Sequence, residues 1–158
     1  MHRTRNDLAE RIRSDMVGLL NARLADALDL QAQAKQAHWN VKGPTFIALH
    51  ELFDKVADLA REAADELAER AVAIGGTADG TLASVVKRTT LAPYPTEITA
   101  GPEHTSRLAD ALATHARGVR AAIATAADAG DADTSDLFTE LSRDADKMLW
   151  MIEAHLQS

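Results

Sequence analysis

Among the side chains between residues 38 and 69 that are able to bind a metal, five stand out by their placement: His38, His50, Asp54, Asp65 and Glu69. The segment after Pro44 reads as one long helix. At about 100° per residue, with His50 as origin, Asp54 lies at about 40°, Asp65 at about 60° and Glu69 at about 100°. Leu49, Leu52, Phe53, Val56, Leu59, Ala63 and Leu67 occupy the arc from about 180° to about 300°, so the donors sit together and off the core-facing stripe. Sharing an arc is not sharing a site, because Asp54 and Asp65 are separated along the axis by roughly 16 Å. Histidine and carboxylate donors must come within about 2.0–2.2 Å of a first-row metal. One helix therefore offers two half-sites. The pairs Asp54/Asp65 and His50/Glu69 share one centre in the sequence, between Leu59 and Ala60. An antiparallel crossing with a second copy, on a two-fold axis near Leu59 and Ala60, sets Asp54 against the partner's Asp65 and His50 against the partner's Glu69. A two-fold interface builds such a site twice. His38, folded back over the turn Asn40 to Pro44, adds a fifth donor. Asp58 and Glu62, at about 80° and about 120°, are reserve donors on the same arc. The plainer reading is a solvated acidic face, with Lys55, Arg61 and Arg70 as salt-bridge partners.

Two imidazoles and three carboxylates suit iron, manganese or zinc and do not choose among them. Zinc binds such donors more tightly than Fe(II), which makes it a competing ion. Other di-iron bundles use Glu-x-x-His pairs within one chain. No Glu in this sequence has a His three positions on.

The stretch His38-Trp39-Asn40-Val41-Lys42-Gly43, then Phe46 to Asp54 (FIALHELFD), Asp65, Ala68-Glu69-Arg70-Ala71-Val72 and Gly75-Gly76 resembles the Dps family, the ferritin-like miniferritins also called DNA-binding proteins from starved cells. Ser142 to Trp150 (SRDADKMLW) is similar to that family's last helix, and the likeness extends over nearly the whole chain. The resemblance implies an all-α, ferritin-like four-helix bundle, with a short extra helix in the long crossover between the second and third helices. It places the family's intersubunit ferroxidase ligands on His38, His50, Asp54, Asp65 and Glu69, with no departure. It further implies iron as the metal, hydrogen peroxide as the preferred oxidant, ferric mineral stored in a hollow homododecamer of two-fold dimers, and protection of DNA from oxidative damage. Acid-lined three-fold pores in the family fall at Asp131, Asp133 and Asp136. The same acids at a helix start also read as capping and dipole partners. The alternative function is a nucleoid protein that compacts DNA, with iron oxidation secondary. Many family members bind DNA through a lysine-rich tail, whereas Met1 to Asn6 carries His2, Arg3 and Arg5 and no lysine.

The elements that must position the donors follow from periodicity and breakers. Asp7 to Gln36, capped by Asn6 or Asp7, reads as the first helix, with Leu8, Ile12, Met16, Leu19, Leu20, Leu24 and Leu28 at helical spacing. His38 and Trp39 close that segment. Trp39 reads as a packing residue, or as an indole able to intercept oxidising equivalents beside the site. Gly43-Pro44 breaks the chain, with Pro44 suited to a first helical turn. The second helix runs to about Ile74 and ends at Gly75-Gly76. Thr77 to Pro102 is the crossover, with a short helix at Leu82 to Arg88. Glu103 to Ala127 is the third helix, on which His104 and His115 read as surface or core residues. Asp133 or Thr134 caps the last helix, which runs to about His155.

Composition bounds the rest. A chain of 158 residues, 46% hydrophobic, builds one ferritin-like domain over 1–158, with residues 1–6 as a short flexible tail. A net charge of −7 argues against a surface that is wholly a nucleic-acid footprint and suits a shell that attracts cations. The absence of cysteine excludes disulfides and thiolate metal sites. No apolar run is long enough for a membrane span, and the first ten residues lack a secretory core, so cytoplasm is the expected location.

Overall fold

The computed structural model describes residues 1–157. Five helices follow one another: α1 (Glu10–Asn40), α2 (Phe46–Ala73), α3 (Leu82–Arg88), α4 (Gly101–Ala129) and α5 (Ala132–Glu153). The long helices pack as two hairpins, α1 with α2 and α4 with α5, and the crossover carrying α3 joins them. This is the all-α four-helix bundle expected from the sequence, with the short helix where it was expected. None of these helices is long and apolar enough to cross a membrane.

The core divides along the bundle axis. One half gathers Leu30, Phe53, Leu108, Leu112 and Ile152; the other gathers Leu20, Leu67, Ile74, Val119 and Phe138. The buried stripe of α2 is the expected one, with one exception: Leu59 is only partly buried, and Ala57, Ala60 and Ala64 fill the interior around it. On the wheel Leu59 lies at about 180°, the edge of the stripe, whereas Ala60, Ala64 and Ala57 lie between about 280° and about 340°, on the buried side.

The helix ends differ from expectation in four places. First, α1 begins at Glu10 without a side-chain cap, since Asn6 spends its carboxamide oxygen on the N–H of Leu8. It then runs on through His38 and Trp39 to Asn40, beyond Gln36. Second, Pro44 lies in the turn before α2 and not in its first turn. Third, α4 starts at Gly101, so Pro102 sits inside its first turn, where a missing N–H costs nothing. Fourth, Asp131 caps α5 by accepting from the N–H of Thr134, ahead of the expected Asp133 or Thr134. The second helix stops as expected: Gly75 adopts φ +86°, a left-handed conformation that favours glycine.

Polar residues on α1 fasten the crossover. Asp26, fully buried, accepts from the N–H and hydroxyl of Thr90. The Thr89 hydroxyl donates to Asp29, and the Gln33 amide donates to the Ala92 carbonyl. Asn21 donates to Thr77 O and accepts from Asp79 N–H. A 27-residue connection (residues 74–100) is thereby pinned along one helix, which also fixes α3 beside α1. The turn between α1 and α2 is tied to its far end through Lys42 N–H donating to Thr99 O.

Candidate metal centre

The end of α1 and the start of α2 bring His38 and His50 together. Their rings stack with centroids 3.7 Å apart. Each Nδ1 lies 2.8 Å from the other residue's backbone carbonyl: His38 Nδ1 to His50 O, and His50 Nδ1 to His38 O. A carbonyl oxygen only accepts, so both Nδ1 atoms carry the proton. In the neutral ring the lone pair is then on Nε2, the tautomer a metal-binding imidazole needs. Phe46 lies against His50 with its ring centroid 5.0 Å away and helps hold the clasp.

Asp54, one turn along α2 from His50, is next to this pair. Its carboxylate lies 3.9 Å from His38 Nδ1 and accepts a 2.6 Å hydrogen bond from Lys35. That bond from the Lys35 ammonium holds the Asp54 carboxyl below its usual range, against the opposing effect of burial. Three of the five expected donors are therefore neighbours within one chain, and the Lys35 ammonium is the partner of the Asp54 carboxylate. Asp65 and Glu69 lie further along the same face of α2, exposed and without an ion pair or hydrogen bond among the described residues. One chain does not bring them to the histidines. Among the described residues no three such donors converge at metal-binding distance.

The surface of α2 carries the signature of a self-complementary contact. Ala60 is buried in the chain's own core, so at the height of the expected axis the exposed residues are Asp58 and Arg61. These two are mirror positions about the same centre, and opposite in charge. Ile47 and Val72 are mirror positions as well; they are 62% and 56% exposed, unusual for apolar side chains this far from a chain end. Ile47, Asp54, Asp58, Arg61, Asp65 and Val72 make one heptad-spaced seam. Laid antiparallel on its copy, it would pair apolar with apolar at the ends and acid with base at the middle, and would set Asp54 against Asp65, acid on acid, where a bound cation would offset the repulsion. On α3, Leu82 and Val86 are also strongly exposed.

Comparison with known proteins locates this arrangement. The ferritin-like domain family model matches residues 17–158. A "DNA protection during starvation protein" of Agrobacterium fabrum is 46% identical over 156 residues, covering 99% of this chain and 96% of its own length. The Dps structure from Mycobacterium smegmatis superposes with a TM-score of 0.94 at 32% identity, covering all of this chain and 95% of the other. The chain belongs to the Dps family. A further Dps structure, from Microbacterium arborescens and described as a high iron form, matches with a TM-score of 0.88 at 30% identity over 94% of this chain and 96% of that one.

Elsewhere in this Dps-family chain, Asp131 is only 2% exposed. It accepts from Thr134 N–H, the Thr134 hydroxyl and Arg70, the last at 2.7 Å. Its carboxylate thus closes a joint between the end of α2 and the start of α5, while Asp133 and Asp136 face solvent. Arg70, next to Glu69, is engaged in this joint and does not neutralise the acidic face. Trp39 is mostly exposed, with the Lys35 ammonium 5.9 Å from its ring centroid, so packing within the chain does not account for it. The backbone N–H of His2 donates to Gly75 O, laying the start of the chain against the end of α2. Lys35 is the residue that sequence reading passed over. Its signal was its place one turn before His38 on a helix whose end carries a donor. His115, expected as a surface or core residue, is buried.

Proposed function

We propose that this protein is a ferroxidase and iron store: it oxidises Fe(II) with hydrogen peroxide at sites shared between two-fold partners and retains the ferric product in a hollow shell. One observation carries the reading. His38 and His50 are clasped through their Nδ1 atoms, which leaves Nε2 of each ring as the donor; Asp54 neighbours His38, and the remaining carboxylates of the same helix face lie too far along it to help within one chain. The donor set suits iron as substrate: neutral imidazole nitrogens and carboxylates bind Fe(II) without selecting strongly against its oxidation to the harder Fe(III), which oxygen donors then favour. Two Fe(II) ions give one electron each to one peroxide, whose oxygens leave as water after proton uptake. Consuming both reactants together starves hydroxyl-radical chemistry, and that is the route by which DNA is protected. Two-fold dimers assemble into a dodecamer, and the exposed Asp133 and Asp136 supply carboxylates for a cation entry at a three-fold axis. The cytoplasm of a bacterium is the setting. Zinc competes for the site.

Direct compaction of DNA is the weaker reading. Only Arg3 and Arg5 lie in the first six residues with fixed positive charge, against a net charge of −7 for the chain.

The test is anaerobic loading of the assembled protein with Fe(II), then stoichiometric peroxide, following ferric absorbance in wild type and in Asp65→Ala. Rapid oxidation in wild type, lost in the variant with the oligomer intact, is the expected result. Equal rates in the two proteins would remove the interface site from the reaction.

A further inference from the structure

Tyr94 is the only tyrosine of the chain. It stands half-buried on the crossover between α3 and α4. It packs against the half of the core that holds Leu49 and Phe53, the neighbours in sequence of His50 and Asp54. Its hydroxyl lies 2.6 Å from Nδ1 of His104, on α4, and the two rings are nearly parallel, with 17° between their planes. His104 is fully buried, with the Phe53 ring centroid 6.4 Å from its own. The Tyr94 hydroxyl has no other partner among the described residues, so its proton belongs to this bond. The ring proton of His104 is then on Nε2, which makes no full hydrogen bond; the Ile98 carbonyl favours a proton on the ring. Burial pushes the imidazole pKa down and the phenol pKa up, so both groups are uncharged at neutral pH. A tyrosine that only packs asks its partner for a lone pair, and any backbone carbonyl supplies one. An imidazole differs from a carbonyl in that it can keep the proton. That difference matters when a tyrosine is oxidised. Loss of one electron makes a phenol a strong acid, and in an apolar setting the electron leaves readily only if the proton has somewhere to go.

We propose that Tyr94 and His104 form a proton-coupled redox pair that takes up one-electron oxidising equivalents escaping from the peroxide reaction. The oxidant is hydroxyl radical, which Fe(II) and peroxide yield when a single Fe(II) reacts. An electron leaves the Tyr94 ring, and the hydroxyl proton crosses the 2.6 Å bond to Nδ1 of His104. The hydroxyl radical, with that electron and a proton from solvent, becomes water. What remains is a neutral tyrosyl radical beside an imidazolium, whose charge the Glu103 carboxylate and the Ile98 carbonyl favour. One further Fe(II) returns an electron to the ring and becomes Fe(III), and His104 returns the proton. The pair is restored, and an oxidant that would have attacked protein or nucleic acid has consumed Fe(II) instead. Only the source of the oxidant rests on the iron and peroxide chemistry proposed above.

The test uses the assembled, metal-free protein, with tris(bipyridine)ruthenium(III) generated by a light flash as the one-electron oxidant. Transient absorption and electron paramagnetic resonance read the tyrosyl radical. With one tyrosine in the chain, that signal has a single source. Wild type is expected to form it, with a hyperfine coupling to an exchangeable proton from the imidazolium N–H that faces the phenoxyl oxygen. Tyr94→Phe is expected to form none. His104→Gln keeps a hydrogen-bonding group but no base, and is expected to slow radical formation about tenfold or more. The coupling is measured in wild type, so it decides even where His104→Gln does not fold. A wild type that forms only tryptophan radicals overturns the proposal. So does a tyrosyl radical without the exchangeable coupling, or an equal rate in wild type and a folded His104→Gln. No iron is present, so failure of the interface ferroxidase would leave these results as they are.

Discussion

Chains carrying Asp54→Asn, co-assembled with chains carrying Asp65→Asn, offer a sharp test of the shared site. If each site takes Asp54 from one subunit and Asp65 from the other, as proposed, each variant alone spoils every interface site. A mixed dimer is different. One of its two sites receives both defects, and the other receives neither. With random pairing about half the dimers are mixed and each has one intact site of two, so about a quarter of wild-type sites return. The assay is initial ferric absorbance after peroxide addition to Fe(II)-loaded protein, at equal total chain and confirmed equal oligomer size. Co-assembly of Asp54→Asn with His50→Gln is the control. Those two residues belong to the same half-site, so no dimer of that mixture contains an intact centre and the rate stays at the level of either parent. The roughly 16 Å between Asp54 and Asp65 along the helix is what makes the two mixtures differ. If the first mixture stays as inactive as its parents while mixed dimers are shown to form, or if the control recovers equally, the donors do not act across a two-fold axis.

Three other outcomes follow from the geometry. Lys35→Met removes the ammonium from Asp54; since that carboxylate is about half exposed, the gain is modest, about two- to tenfold tighter Co(II) binding by competition titration, and unchanged or weaker binding would contradict a competing role. Asp58→Arg turns two attractions at the dyad into repulsions among exposed charges, at about 1–2 kcal/mol per dimer; Asp58→Arg/Arg61→Asp restores the pairing, and sedimentation of dilute protein should show the single variant dissociating first and the double variant recovering. The third concerns pH. Unfolded His115 takes up a proton near 6.5 and the buried ring resists until about 4. Stability that is complete above pH 6.5 therefore falls as pH drops toward 4, by about 3 kcal/mol for this group. Urea midpoints of His115→Leu against pH should show a flatter acid limb than wild type, and parallel limbs would count against the assignment.

The sequence exposed the helices that carry chemistry better than those that carry architecture. On α2 the apolar stripe and the donor arc separate cleanly at helical spacing, so His50, Asp54, Asp65 and Glu69 could be placed on one face before any coordinates. Leu59 escaped because it stands at the edge of the stripe, near 180°, while Ala57, Ala60 and Ala64 on the buried side each carry too little apolar weight to mark the true centre of that face. On α1 the polar residues Asn21, Asp26, Asp29 and Gln33 blurred the period. Their partners lie 56 to 64 positions away, and no local pattern announces such a bond. Asp131 and Asp133 are chemically identical candidates for the α5 cap. What separates them is distance: Arg70, reaching over from another helix, comes within 2.7 Å of Asp131 and 3.7 Å of Asp133, and Asp131 alone of the two accepts from the Thr134 N–H and hydroxyl. The clasp between His38 and His50 depends on two backbone carbonyls, groups every residue has, and so leaves no trace in residue type.

That clasp also decides what survives when one ring is lost. The carbonyl that holds His38 Nδ1 belongs to the main chain of residue 50, and the carbonyl that holds His50 Nδ1 belongs to the main chain of residue 38. Replacing either side chain therefore leaves in place the group that orients the other ring. The two histidines are separable by mutation although they are held as a pair, and a single substitution removes one nitrogen donor without turning its neighbour away.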